Sequence, residues 1–276
     1  MRTTVAVALV ALTAGTGFAA AALGSRGAPR QPAAIGPPNG GGAGWQPGIH
    51  RAKRYAKRRA GEVSFAVIDL DRRMRSFHAS DTAPTASVIK VMFLTAYLRQ
   101  ASVRHRRLRP ADRRLLAPMI RRSDNVAATR VRDIVGRGAI ERLARDAGMR
   151  DFSYNQVWGL SRTSARDQAR FMYHLGRYIP KRHRRYARHL LSSIVPSQRW
   201  GIGEVEPKGW ELYFKGGWGT GTGRVDHQVA FLEEHGRRIA VAILTEFDPS
   251  HSYGKRTLKG VAERLLRGLP RLPRRF

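Results

Sequence analysis

The sequence predicts an α/β (α+β) domain: an antiparallel sheet built from N- and C-terminal segments, flanked by helices, with an all-helical lobe inserted between them. Three observations predict it. Strand-type runs rich in β-branched and aromatic residues are confined to residues 63–79 and 212–246. Helix-start signals and helical apolar spacing fill the stretch between, and a further helical segment closes the chain.

Taken in order, a basic helix is expected from about Gly48 to Arg59. Val63 to Leu70 reads as a strand that turns at Asp71-Arg72-Arg73 into a second, Met74 to Ala79, giving a hairpin. Pro84 and Thr85 open a helix running through Leu98. Apart from Lys90 and Thr95 its residues from Val88 onward are apolar, so it must be buried almost all round. Pro110 opens a helix to Ile120, Asp124 begins one to Val135, and Ala139 to Ala147 makes a third, stopped by Gly148. Ser164-Ala165-Arg166-Asp167 is a capping pattern for the helix that carries Phe171, Met172 and Leu175. A basic helical stretch, Lys181 to Leu191, follows. Leu212–Trp218, Asp226–Glu233 and Arg238–Glu246 read as three antiparallel strands, the last two joined at Glu234-His235-Gly236-Arg237, and Tyr253 to Leu266 as a closing helix.

Ahead of the domain, Met1-Arg2 precedes an apolar stretch from Val5 to Leu23 that ends in the small residues Ala19 to Ala22. This is the pattern of a secretory signal with cleavage near Ala22. About twenty apolar residues also span a bilayer, so residues 1–24 are expected to be either a signal peptide or a membrane anchor. Residues 25–47, rich in Gly and Pro, form a linker, and 48–276 the domain. The domain is expected outside the cytoplasm, either secreted or at the cell wall. Cysteine is absent, which excludes disulfides, thiolate metal sites and thiol catalysis.

The net charge is +31, from 51 Lys+Arg against 20 Asp+Glu. Such a balance suits contact with anionic cell-wall polymers. The basic residues are scattered over many segments rather than gathered in one stripe, and only eight are Lys, which equally fits codon usage in a GC-rich genome. Nucleic acid is not expected as a partner of an exported chain.

Chemistry concentrates in three places. In Ser87-Val88-Ile89-Lys90 the helical spacing sets a hydroxyl and an amine one turn apart on one face, at a helix start where backbone N–H groups favour developing negative charge. A lysine snorkelling out of a core helix is the alternative reading. Ser123-Asp124-Asn125 places two more polar side chains at a helix start, where Ser and Asp also serve as caps. Lys215-Gly216-Gly217 lies in a strand and runs into a glycine-rich stretch up to Arg224. That stretch matches no phosphate-loop spacing and precedes no helix. Acyl transfer needs a nucleophile, a base, oxyanion donors and a proton for the leaving nitrogen. Ser87 supplies the first; Lys90 can be the base if neutral, which burial and a second cation, Lys215, would promote.

Together these segments resemble the signature of class A β-lactamases and penicillin-binding proteins, and the resemblance extends in element order from about Val63 to Leu266. It implies a secreted monomeric serine hydrolase, acylated at Ser87 by β-lactams or peptidoglycan-like amides, with neither metal nor cofactor; a DD-peptidase is the neighbouring possibility. Lys90 and Lys215 would assist Ser87, and Ser123 would pass a proton to the leaving nitrogen. Asn125 would hold a substrate amide, while Asp124 would brace the turn. Gly217 would let the edge strand approach the substrate, the backbone N–H groups of Ser87 and Trp218 would receive the oxyanion, and Arg224 would bind a substrate carboxylate.

Three departures temper the resemblance. Gly216 stands where the family offers a hydroxyl, with Thr220 or Thr222 as candidates to replace it. Ser87 and Ser123 are only 36 residues apart, which implies a shortened helical lobe and a more open cleft. Between Gly148 and Ser164 there is no Glu-x-x-Leu-Asn, the element that activates the deacylating water; Asp151 is the candidate deacylation base there, with a surface turn residue as the alternative. Such a chain is expected to acylate and then stall. A relative that binds cell-wall peptide without turnover, and a polyanion-binding module, are the other two readings. His174 and His227 read as packed or surface residues, and Trp200, Trp210 and Trp218 as core, with Trp218 alone a candidate for lining a cleft.

Overall fold

The computed structural model describes residues 45–219 and 224–271. The expected signal or anchor, the linker up to Gly44, and Thr220 and Thr222 lie outside the described residues. Among those described, no helix is long and apolar enough to cross a membrane. Trp45 to Pro47, read from the sequence as linker, pack with the domain instead: Trp45 donates from Nε1 to Arg267 O at 3.1 Å and its ring rests on the core.

In chain order the elements begin with α1 (Ile49–Ala56), β1 (Glu62–Ile68), β2 (Met74–Phe77) and β3 (Thr82–Pro84). A 3-10 turn, Ala86–Ile89, leads into α2 (Lys90–Arg99), α3 (Ala101–Arg104), α4 (Pro110–Arg121) and α5 (Asn125–Asp146). Then come β4 (Arg162–Ser164), α6 (Ala165–Tyr178), α7 (Arg184–Ser192), β5 (Glu211–Gly219), β6 (Val225–Glu234), β7 (Arg237–Glu246) and α8 (His251–Leu266).

The main sheet has the order β2-β1-β7-β6-β5 and is antiparallel throughout. The last strand of the chain therefore inserts beside the first, with Ala66 opposite Ala242, and β5 is left at an edge. β6 and β7 meet in a two-residue turn, His235-Gly236, both at positive φ (46° and 78°), the conformation whose twist suits a tight hairpin. Both strands are buried at nearly every successive residue, as expected when helices cover both faces. α6 packs on β1, β6 and β7, while α8 packs on β6 and β7 with α1 against it.

The helical lobe is organised around α2, which packs on α4 and α5. Val91, Met92, Phe93, Leu94 and Leu98 are fully buried, each stabilising the fold by about 1.5–3 kcal/mol. With that anchorage α2 holds Lys90 in place although burying its amine is costly.

Sequence and structure differ at three points that matter for the site. The segment read as one helix from Pro84 starts as a 3-10 turn, because Ala86 at φ 42° breaks the helical path just before Ser87. The helices expected at Asp124–Val135 and Ala139–Ala147 run on as α5, broken at Gly136 (φ 72°, ψ 158°). A two-stranded sheet of β3 with β4 was not expected, since three residues per strand carry no readable alternation. It ties the approach to Ser87 to the loop before α6.

Candidate active site

Ser87 is positioned from three sides. From the loop before β4, Ser161 O accepts the Thr85 N–H at 2.6 Å and Trp158 O accepts the Thr85 hydroxyl at 3.2 Å. From the sheet, His227 binds Pro84 O through Nε2 at 2.7 Å while its Nδ1 receives the Thr245 N–H at 3.1 Å. Since Nδ1 must accept, the proton sits on Nε2. Burial pushes this imidazole down to about 4, so it stays a neutral strut. The third side is β5. A Cβ at Gly217 would lie 2.8 Å from Ser87 N and 2.9 Å from Val88 N, so only glycine lets the edge strand close on the turn. Gly217→Ala is expected to push β5 and the Ser87 turn apart and to destabilise the fold by about 1–3 kcal/mol, which a thermal melt checks.

Lys90 follows Ser87 by three residues across the 3-10 turn, where i and i+3 side chains eclipse. Its Nζ donates to Ser123 O at 2.6 Å, Ser123 Oγ at 3.1 Å and Asn125 Oδ1 at 2.7 Å. Among the described residues no hydrogen bond joins it to Ser87, contrary to the direct pairing read from the spacing. The three acceptors on Ser123 and Asn125 hold the amine instead. Lys215, on β5, donates from Nζ to the same Ser123 Oγ at 3.0 Å and to Gly216 O at 2.7 Å. Both lysines are fully buried.

The electrostatics follow from that geometry. Burial pushes Lys90 down to about 7, against the opposing pull of Asp124. Lys215 is held well below its ordinary value, first by burial and then by the like charge of Lys90. Two ammonium groups on one buried hydroxyl repel, so near neutral pH a neutral amine is readily available. Once Lys90 is neutral, the Ser123 hydroxyl can donate toward it while still accepting from Lys215. The result is a proton path between two amines through one oxygen. Ser123 holds this position in the left-handed region at φ 56°, a strain of about 1–3 kcal/mol that its surroundings must offset. Asp124 beside it caps α5, its Oδ1 accepting the Ala127 N–H at 2.7 Å, which is the bracing expected of it.

The remaining candidates divide. Gly216 faces Trp200: a Cβ there would stand 3.3 Å from the indole Cη2, so the place where the family carries a hydroxyl is backed by an aromatic ring. Trp218 turns its ring onto Trp200 (5.7 Å, edge-on) and His251 (5.9 Å, stacked), and lines a small pocket of about 110 Å³ with Arg224, Asp226, Asp248 and His251. Arg224 is exposed at the mouth of the β5–β6 hairpin, and its carbonyl accepts the Asp248 N–H at 3.1 Å. Asp151 does not join the site. Arg166 Nη2 sits 2.9 and 3.0 Å from its two carboxylate oxygens, and the Ser164 hydroxyl donates to it at 2.6 Å. That corrects the candidate deacylation base, because this carboxylate is committed to the start of α6. His227 and His174 are packed or half-buried, as read from the sequence.

Two site residues were missed. Thr85, just before the motif, fastens the Ser87 turn to the loop. Trp158 presents its ring 5.0 Å from Lys90 Nζ. Neither belongs to a recognisable motif, and Trp158 shares its loop with two other aromatics, Phe152 and Tyr154.

Comparisons with known proteins agree with this architecture. A family model described as the beta-lactamase enzyme family matches residues 105–268. Among solved structures, a β-lactamase from Sphaerobacter thermophilus is 21% identical, covering 82% of this chain and 98% of its own, with a TM-score of 0.72. The class A β-lactamase from Mycobacterium abscessus is 19% identical, covering 80% of this chain and 99% of its own, at a TM-score of 0.69. An ancestral (GNCA) class A β-lactamase is 17% identical, with coverages of 79% and 98%, also at 0.69. At these identities the structures establish the fold alone, the one these β-lactamases share. The search of curated proteins found no match. By its sequence match the chain belongs to the beta-lactamase enzyme family.

Proposed function

We propose that this protein is an exported serine acyl-enzyme former: Ser87 attacks the amide of a β-lactam or a peptidoglycan-like peptide, and the ester is cleared slowly. One observation carries the reading, the convergence of the Lys90 and Lys215 amines on the Ser123 hydroxyl beside the Ser87 turn. The printed names of the structures that share the fold, all β-lactamases, support the substrate class.

Neutral Lys90 takes the Ser87 proton as Oγ attacks the carbonyl carbon. The oxyanion is received by the Ser87 and Trp218 backbone N–H groups, whose approach the bare Gly217 permits. As the C–N bond breaks, the Ser123 hydroxyl gives its proton to the leaving nitrogen and is reprotonated from the lysines it bridges. Asn125, already bound to Lys90 through Oδ1, is left with its amide N–H₂ for a substrate carbonyl. Arg224 attracts a substrate carboxylate toward the hairpin mouth. The apolar N-terminal stretch supports action outside the cytoplasm.

Clearing the ester needs a water and a base for it. With Asp151 bound to Arg166 and Ser164, a chromogenic β-lactam is expected to give a burst of about one equivalent per chain, then turnover slower than acylation by about 100-fold or more, the usual worth of a general base. Steady turnover at the acylation rate, with no burst, contradicts the slow-clearing reading.

A further inference from the structure

The loop between α5 and α6 brings an indole to Lys90, with Trp158 centred 5.0 Å from Nζ. The ring is clamped on several sides. Its Nε1 donates to Thr129 Oγ1 of α5 at 3.2 Å, it meets the Phe93 ring of α2 in a T-shaped pair at 6.0 Å, and the Trp158 backbone carbonyl accepts the Thr85 hydroxyl of the Ser87 turn. The short helical turn Trp158–Leu160 packs directly on the turn that carries Ser87. Among the described residues no carboxylate hydrogen-bonds to Lys90. Asp124 acts on it through charge, and its Oδ1 caps α5.

We propose that Trp158 sets the lifetime of the acyl-enzyme: its apolar ring covers the side of Lys90 from which water would otherwise be admitted to the Ser87 ester and activated. The proposal rests on acylation at Ser87 as described above. Hydrolysis of that ester requires a water oxygen to add to the carbonyl carbon while its proton passes to neutral Lys90. The bond from that carbon to Ser87 Oγ then breaks, Oγ recovers the proton from Lys90, and the carboxylic acid departs. Indole has a single N–H donor, already given to Thr129, and no acceptor, so it can neither hold nor deprotonate that water. Excluding water protects a reactive ester, which then survives long enough to meet a different acceptor.

The full chain, its Trp158→Ala and Trp158→Phe variants, and Thr129→Val are acylated with benzylpenicillin, freed of excess reagent, and followed by intact mass as the adduct decays. Trp158→Ala is expected to lose its adduct at least about 10-fold faster than the parent, with a decay rate that rises with pH as Lys90 becomes neutral. Trp158→Phe, which keeps an aromatic cover, should stay within about 3-fold of the parent. Thr129→Val, which frees the indole without emptying its place, should decay faster by about 2–5-fold and keeps the test open if Trp158→Ala does not fold. Equal adduct lifetimes in the parent, Trp158→Ala and Thr129→Val, or Trp158→Phe decaying as fast as Trp158→Ala, would overturn the role of the ring and leave acylation standing. A folded parent that takes no adduct would instead remove the acylation reading itself.

Discussion

Ser87→Ala is expected to abolish covalent labelling by a fluorescent penicillin, lowering the acylation rate by at least about 1,000-fold to background. Each group that holds the turn is untouched by the change: the Thr85 bonds to Ser161 and Trp158, the His227 bond to Pro84, and the seat against Gly217. The folded state should therefore keep its stability to within about 1 kcal/mol. Denaturing electrophoresis of the labelled protein reads the first effect and thermal unfolding the second. Loss of label with an intact melt identifies the nucleophile; label that persists shows acylation elsewhere.

Lys90→Gln has the second largest expected effect, because the same amine acts on both rate and stability. In its proposed role of base Lys90 must be neutral, so acylation by the parent should rise with pH through about 7 and level off above it. The variant should lose about 100- to 10,000-fold in rate together with that inflection. Glutamine keeps a polar group near Ser123 and Asn125, so the loss is of proton transfer rather than of packing. For stability, the folded state holds Lys90 deprotonated above about 7 while the unfolded chain keeps its proton to about 10.4. Between those values the unfolded state binds more protons, and stability increases with pH. The parent should thus melt at a higher temperature at pH 9.5 than at pH 7, and the variant should show less of that rise. An acylation profile flat across pH 6 to 8.5 in the parent would assign the base to another group.

What the sequence made legible was the chemistry that local spacing encodes. Ser123 with Asn125, and Lys215 with Gly217, could be read because each set lies within one turn or one strand, whereas Lys90 bonds to Ser123 and Asn125 rather than to Ser87. Their convergence followed from the order of the elements. The last strands had to return beside the first hairpin, and only the chirality and burial of the sheet make them do so. The 3-10 turn was hidden because the apolar run from Val88 reads equally well for one uninterrupted helix, and no residue type announces the left-handed Ala86. Asp151 was left between a base and a turn residue for a similar reason: its partners Ser164 and Arg166 are 13 and 15 residues away, across a loop whose course the sequence does not dictate. Trp158 was overlooked as a member of the site because an aromatic side chain acts there by occupying space, and occupancy has no motif. Gly217 was legible as a close approach, and the 2.8 Å that a Cβ would leave to Ser87 N gives that reading its physical content.

The convergence of residues 87, 90, 123 and 215 on one reacting centre is tested most directly by exposing the full chain to a β-lactam, digesting it with trypsin and weighing the peptides. One intact β-lactam mass should be added per chain, carried by the peptide Ser76–Lys90 and localised by fragmentation to Ser87. A folded protein that gains no mass, or an adduct carried by any other peptide, would contradict it.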